Sequence, residues 1–380
     1  MRKFYLPIML TIILLPVAGR FVLHGFDATF FIVAGRHFTD PSKLPFPVTV
    51  VDGAGYDGQF YFKTALDFAL PSGTAISYDD PIYRKQRILY PALAWLAAFG
   101  VPALIPFTLI VINCLAMLLV WKVFYDLCKE KNIPVFYSLL PALYSGIPMS
   151  IARDLADPLE TLLILGVLRF GISNPALFFI FSGLALLTKE TSLVFILPAA
   201  CVLGIKFWQE KASPWRYLWL ILPPILPILW KYFLENTAGS TLAVHGAYNL
   251  TYPLTGLIAG FTAYPRELTL KNVSEYALAL FSLGWLAWLV VLTAPHIKTA
   301  MLDKFKGHYA ESGWLSWLVF SMFFSVAIYE DDWSFVRLFS AFSTVSYLIL
   351  FQNSEKPGVK FIAMSVLMYI VITARLWLRV

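Results

Sequence analysis

Charge is what this sequence has least of. Asp, Glu, Lys and Arg make up 14% of its 380 residues, against about 25% in an ordinary soluble domain. A chain so poor in ionised groups cannot clothe a water-facing surface. Cysteine is also sparse. Cys114, Cys128 and Cys201 lie in or beside apolar stretches without metal-ligand spacing, so they read as buried thiols and imply no disulfide framework. His24, His37 and His245 show no His-x-x-x-His spacing; no cofactor and no dedicated metal site is expected, and only carboxylates could hold a divalent cation. The net charge of +6 is spread over several short segments, unlike the clustered basic face that nucleic acid requires. Low-complexity tracts are missing, as are the internal repeats often found in inverted-repeat transporters.

Long apolar runs are what the chain has instead. Hydrophobic residues reach 59% and aromatics 17%, with a mean hydropathy of +0.71. The runs do not alternate as barrel strands would, so the expected class is an all-α polytopic membrane protein. Residues 4–23 follow Met1-Arg2-Lys3, and Val17-Ala18-Gly19 is a poor cleavage site. An uncleaved first span suits this stretch better than a signal peptide. Further spans are expected over 103–124, 134–147, 157–171, 175–188, 191–206, 215–234, 274–296, 312–329, 335–352 and 359–378. That makes about eleven, several of them short for a full crossing. Arg87 to Phe99 reads as a shorter helix lying at the surface or dipping in.

One membrane domain over 1–380 is the simplest division, with long outer loops at 24–102 and 235–273. Within the first loop, Asp27 to Phe38 and Asp57 to Ala69 have the pattern of short amphipathic helices resting on the membrane. Lys122, Lys129, Lys131, Arg169, Lys206, Lys211, Arg216, Lys298, Lys304, Lys306, Lys356 and Lys360 fall in alternate loops. By the positive-inside rule this places the N-terminus in the cytoplasm, although Arg375 and Arg379 fall on the other side.

Under that topology the remaining polar groups gather on the outer face. They are Asp57 with Asp67; Asp79, Asp80, Arg84 and Arg87; Arg153, Asp154, Asp157 and Glu160; Lys189 and Glu190; and Glu330, Asp331, Asp332 and Arg337. Ionisable groups at membrane depth are costly and mark function or pairing. Each has a plainer reading. Asp157-Pro158-Leu159-Glu160 has the form of a capping box. Asp27 and Asp80 suit N-caps, Lys189-Glu190 suits a polar hairpin tip, and Gly-Tyr-Asp-Gly suits a turn. The aromatics after Asp57 argue for packing beside the membrane surface.

Gly55-Tyr56-Asp57-Gly58-Gln59-Phe60-Tyr61, followed by Ala65-Leu66-Asp67, resembles the first-loop motif of bacterial proteins of cell-surface glycopolymer formation. The same holds for Tyr83-Arg84-x-Gln86-Arg87-Ile88-Leu89-Tyr90-Pro91. Both are similar to the GT-C glycosyltransferase superfamily. Arg153-Asp154 with Asp157, and Leu187-Thr188-Lys189-Glu190-Thr191, look like its later polar positions. The likeness is sharp over about 50–95, looser over about 150–195 and topological beyond.

The resemblance implies a GT-C-like helical bundle in the bacterial cytoplasmic membrane with an extracytoplasmic active site. It also implies a polyprenyl-phosphate sugar donor, a glycan, lipid or protein acceptor, and transfer to a hydroxyl with inversion. In that frame Asp57 is the expected general base and Asp27 the second candidate. Arg84, Arg87, Lys189 and Arg337 would hold the donor phosphate. Tyr56, Gln59, Tyr61, Arg153, Asp154, Asp157 and Glu190 would support them, with Asp154 and Glu190 holding the cations when the site is empty. A lipid-linked sugar flippase or a non-catalytic assembly subunit is the alternative. A transporter would also carry ionisable residues near the bilayer midplane, and the span centres hold few.

Overall fold

The computed structural model describes residues 2–69, 76–238, 249–263, 269–329 and 332–378. Glu330, Asp331, His245 and Arg379 lie outside the described residues. In chain order the helices are α1 (Arg2–Leu23), α2 (Gly58–Ala69), α3 (Pro81–Lys85), α4 (Leu89–Ala97), α5 (Ile105–Glu130) and α6 (Leu140–Leu143). Then follow α7 (Gly146–Ile151), α8 (Asp157–Gly166), α9 (Pro175–Thr188), α10 (Leu193–Gln209), α11 (Trp215–Ala238) and α12 (Thr255–Ala263). The last are α13 (Leu270–Leu302), α14 (Tyr309–Ser321), α15 (Val326–Tyr329), α16 (Asp332–Leu338), α17 (Ser340–Gln352) and α18 (Val359–Leu378). Sheet among the described residues is one parallel pair, β1 (Ala34–Gly35) with β2 (Val50–Val51). The all-α expectation stands.

Among the described residues, six segments are long and apolar enough to cross a bilayer: Phe4–Leu23, Pro102–Glu130, Glu190–Gln209, Trp215–Thr237, Asn272–Leu302 and Val359–Leu378. These are the helices of a multi-pass membrane protein. The other expected spans are shorter or broken. Residues 134–147 divide into a 3-10 turn, α6 and the start of α7, with Pro141 opening α6 and Tyr144 extended after it; proline supplies no N–H to continue the ladder. Residues 157–171 are α8 followed by one π turn over Val167–Gly171. Residues 312–329 divide between α14 and α15, and 335–352 between α16 and α17. Helix α9 has 14 residues, about 21 Å at 1.5 Å per residue, short of the roughly 30 Å hydrocarbon layer. The breaks bring backbone ends and polar side chains into the interior.

The first long loop is packed into the bundle, which corrects the expectation of helices resting on the membrane. In α2, Phe60, Tyr61, Phe62, Ala65 and Leu66 are buried. Tyr61, Phe62, Ala65 and Leu66 join a core with Tyr90 of α4, Leu109 of α5, Leu155, and Phe178 of α9. Asp27 to Phe38 makes one 3-10 turn over Ala28–Ile32 and then bends through left-handed Val33 into β1. A second core surrounds Trp314, Trp317, Phe342, Tyr347 and Phe351. Of the six long apolar segments, α11 is the least buried: Ile221, Ile228 and Leu229 are exposed along it, as a lipid-facing helix requires. Its Pro223, Pro224 and Pro227 sit inside a continuous helix, which membrane spans tolerate better than soluble helices do.

Candidate functional site

Glycines fix the backbone that carries Asp57. A Cβ on Gly35 would lie 2.2 Å from the Ala54 carbonyl carbon. One on Gly55, whose φ is +70°, would lie 2.3 Å from the Gly35 nitrogen. The two strands of chain therefore touch directly, and Gln59 fastens them. Its Oε1 accepts the Gly35 N–H at 3.0 Å and its Nε2 donates to the Ala54 carbonyl at 2.7 Å. On the other side of Asp57, a Cβ on Gly58 would come within 2.3 Å of the Arg153 carbonyl oxygen. Asp57 thus stands at the start of α2, wedged between the first loop and the break that separates α7 from α8.

Its carboxylate is held by two arginines. Arg84 Nη1 donates to Oδ1 at 2.9 Å, and Arg337 Nη2 donates to Oδ2 at 2.5 Å. Arg84 is aimed from its other edge by Asp79, which accepts from Nε at 2.8 Å and from Nη2 at 2.6 Å. The ring of Phe60 lies 4.3 Å from the same guanidinium. Helix α3 presents Arg84 because Asp80 caps it, accepting the Tyr83 N–H at 3.1 Å, with Pro81 in the first turn. Arg87 Nε donates to Glu190 at 2.9 Å.

Deeper still, Lys189 Nζ meets Asp157 at 2.6 Å and Glu160 at 3.2 Å, all three side chains being under 5% exposed. Arg337 links the two layers, its Nη1 lying 3.8 Å from Asp157. The result is one chain of alternating charge: Asp79, Arg84, Asp57, Arg337, Asp157, Lys189, Glu160.

Burial by itself pushes the Asp57 carboxyl up, and Arg84, Arg337 and, with a smaller effect, Arg87 override it and hold it well below the usual carboxylate range. Arg84 is shifted upward, because Asp57 and Asp79 outweigh its desolvation. These are strong mutual pairs in a low-dielectric setting.

The chain of charges opens into a cavity of about 610 Å³. Arg84, Arg87, Lys189, Lys231 and Arg337 line it with two carboxylates, Asp57 and Glu190. Leu250, Phe320, Phe324, Ala327, Ile328 and Leu338 share the lining. Cationic hydrogen-bond donors and a greasy wall therefore meet in one space.

All five residues expected to act on the donor phosphate or as the first-choice base come together there: Asp57, Arg84, Arg87, Lys189 and Arg337. Glu190 joins them as the partner of Arg87. Asp27 is not among the lining residues. It caps the 3-10 turn, accepting from Thr29 N at 2.8 Å and Thr29 Oγ1 at 2.9 Å, and from Thr49 Oγ1 at 2.5 Å. Tyr56 and Arg153 sit behind the site, the Arg153 guanidinium 4.5 Å from the Tyr56 ring and that of Arg337 5.3 Å from it. Tyr61 packs edge-on to Tyr90, and Gln59 serves the loop.

Three local readings are corrected. Asp157 does not cap α8: the cap position is Ala156 without a side-chain bond, and the Asp157 oxygens serve Lys189 and Ser150. Lys189-Glu190 is not a hairpin tip in water, since Lys189 is buried. Asp154 does not act as a counter-ion at the cavity. It is fully buried and left-handed (φ +50°), and its oxygens have no hydrogen-bond partner among the described residues. Burial pushes its carboxyl far up, against a smaller opposing effect of Arg20.

Sequence reasoning missed Lys231 and Asn249 as lining residues. The first had a signal, a lone cation inside an apolar run. Asn249 donates to the Tyr83 hydroxyl at 3.2 Å, a contact no local pattern announces. No family model, curated protein or solved structure matches this chain.

Proposed function

We propose that the chain is a membrane glycosyltransferase of the GT-C kind, moving a sugar from a polyprenyl-phosphate donor to an acceptor hydroxyl. In this reading the N-terminus is cytoplasmic and the cavity faces the extracytoplasmic side of a bacterial membrane. One observation carries it: a carboxylate held between two arginines in a cavity whose other walls are cationic and apolar. Guanidinium forks suit phosphate oxygens. The apolar lining suits a prenyl chain. Asp57 supplies an acceptor for the proton.

The acceptor oxygen forms a bond to the anomeric carbon from the face opposite the phosphate. The bond from that carbon to the phosphate oxygen breaks, and its electron pair leaves on the lipid phosphate. The acceptor proton passes to the Asp57 carboxylate. General-base help of this kind is worth about 10²–10⁴-fold. While paired to both arginines, Asp57 is a poor base. A donor phosphate that draws Arg84 and Arg337 onto its own oxygens relieves that pairing, so donor binding and base activation are coupled.

The test uses membranes holding the full chain, supplied with radiolabelled polyprenyl-phosphate sugars. Wild type consumes donor, and Asp57→Asn slows consumption by at least about 10²-fold without weakening donor binding. Transfer at the wild-type rate in the Asn variant removes Asp57 from the chemistry. Donor that changes leaflet without being consumed identifies a flippase.

A further inference from the structure

Helices α10 and α14 run side by side between two different cavities. Gly313 of α14 sits close enough to Phe195 of α10 that a Cβ would lie 3.0 Å from its carbonyl oxygen, and the Phe195 and Trp317 rings stack at 5.0 Å. At one end, Glu190 and Phe320 line the cavity with Asp57. At the other end a separate hollow of about 270 Å³ is lined by Lys206 and Gln209 from α10, by Lys304, Phe305 and Lys306, and by Tyr309 of α14. The 17 residues of α10 span about 25 Å, close to the thickness of a bilayer core. The second hollow therefore lies at the opposite membrane boundary.

Its chemistry is that of an anion site beside lipid. Three lysines converge from two segments. Lys206 has Glu210 at 3.9 Å, the limit of ion-pair distance, and among the described residues no ion pair engages Lys304 or Lys306. The turn holding these two is unusual: Lys304 (φ +52°), Phe305 (φ +55°) and Gly307 (φ +79°) are all left-handed. Left-handed side-chain-bearing residues cost energy and persist where surrounding structure imposes them. Next to the lysines, Ile205, Trp208, Met301 and Leu302 are more than half exposed, an apolar and aromatic border of the kind found where a protein meets acyl chains.

We infer that this hollow binds the headgroup of an anionic phospholipid, its acyl chains lying along the exposed apolar side of α10 and α13. A free phosphate would use the lysines and leave the apolar border idle; a zwitterionic lipid would do the reverse. Basic pockets between membrane helices recognise anionic headgroups in this way. The inference stands apart from the chemistry at the far cavity.

The experiment is native mass spectrometry of the full-length protein in detergent, with phosphatidylglycerol and phosphatidylcholine of matched chains in competition. Wild type should retain the anionic lipid preferentially. Lys206→Gln, Lys304→Gln and Lys306→Gln should each reduce that preference about fivefold, whereas Lys→Arg at the same positions should keep it. Comparable retention of both lipids by wild type, or an undiminished preference in the triple Gln variant, overturns the assignment. So does displacement of the lipid by millimolar inorganic phosphate, which would mark a site for free anions. Single Gln variants carry the test if the triple variant does not fold.

Discussion

Asp27 and Asp57 occupy the same long loop, and both border the first turn of a helix, yet they are held by opposite kinds of partner. Asp27 accepts from one backbone N–H and two threonine hydroxyls. Those are neutral donors close in sequence or on the same loop. Asp57 accepts from two guanidiniums, one of them 280 residues away. The first arrangement closes a turn. The second leaves an ion pair at a cavity that a competing anion can enter. A carboxylate's neighbours, more than its place in a motif, separate scaffold from candidate chemistry.

That contrast can be broken or sharpened experimentally, beginning with the deepest charge pair. Lys189→Met leaves Asp157 and Glu160 buried without their cation. Removing one partner of a buried pair costs about 3–5 kcal/mol, which thermal unfolding in detergent should register. A variant as stable as wild type would show that these acids do not depend on Lys189.

Arg337→Gln removes one of the two arginines bonded to Asp57, and with it one of the cations that depress its carboxyl. That carboxyl should then rise toward the ordinary range. Since the proposed base must be ionised, the acidic limb of the kcat/KM profile should move to higher pH. For stability the sign is the same: a depressed carboxyl stabilises the fold above its unfolded pKa, and that contribution disappears as pH falls through the folded value. In Arg337→Gln that contribution should be smaller, and its loss, which still begins near the unfolded pKa, should be complete at higher pH. An acidic limb that stays in place would detach Asp57 from the rate.

The smallest effect belongs to Asp27→Ala, which removes a cap worth about 1 kcal/mol and should leave transfer within about twofold of wild type if that loss is confined to the turn. If transfer collapses while the fold is retained, the two aspartates exchange roles.

Much of this was legible in the residues. The apolar runs announced the helices, and the polar groups beside Asp57, Arg84, Lys189 and Arg337 assemble in one region. What local pattern could not supply was pairing. The capping-box spelling of 157–160 is overridden because Lys189, on another helix, offers Asp157 a charged partner. The apolar stretch 134–147 looks continuous, and only tertiary packing turns Tyr144 aside so that its hydroxyl reaches the Val336 carbonyl. The amphipathic pattern of α2 suited a membrane surface equally well, because period alone cannot say whether lipid or protein covers an apolar face.

The contact at Gly58 also limits how such a site can adapt. With the Arg153 carbonyl pressed against its Cα and the Gln59 amide stitching the neighbouring strands, the main chain beneath Asp57 has nowhere to retreat. Any accommodation of an incoming anion must fall to the opposing jaw, the short helices α3 and α16 that present the arginines, so the acid serves as the anvil and the guanidiniums as the hinged part.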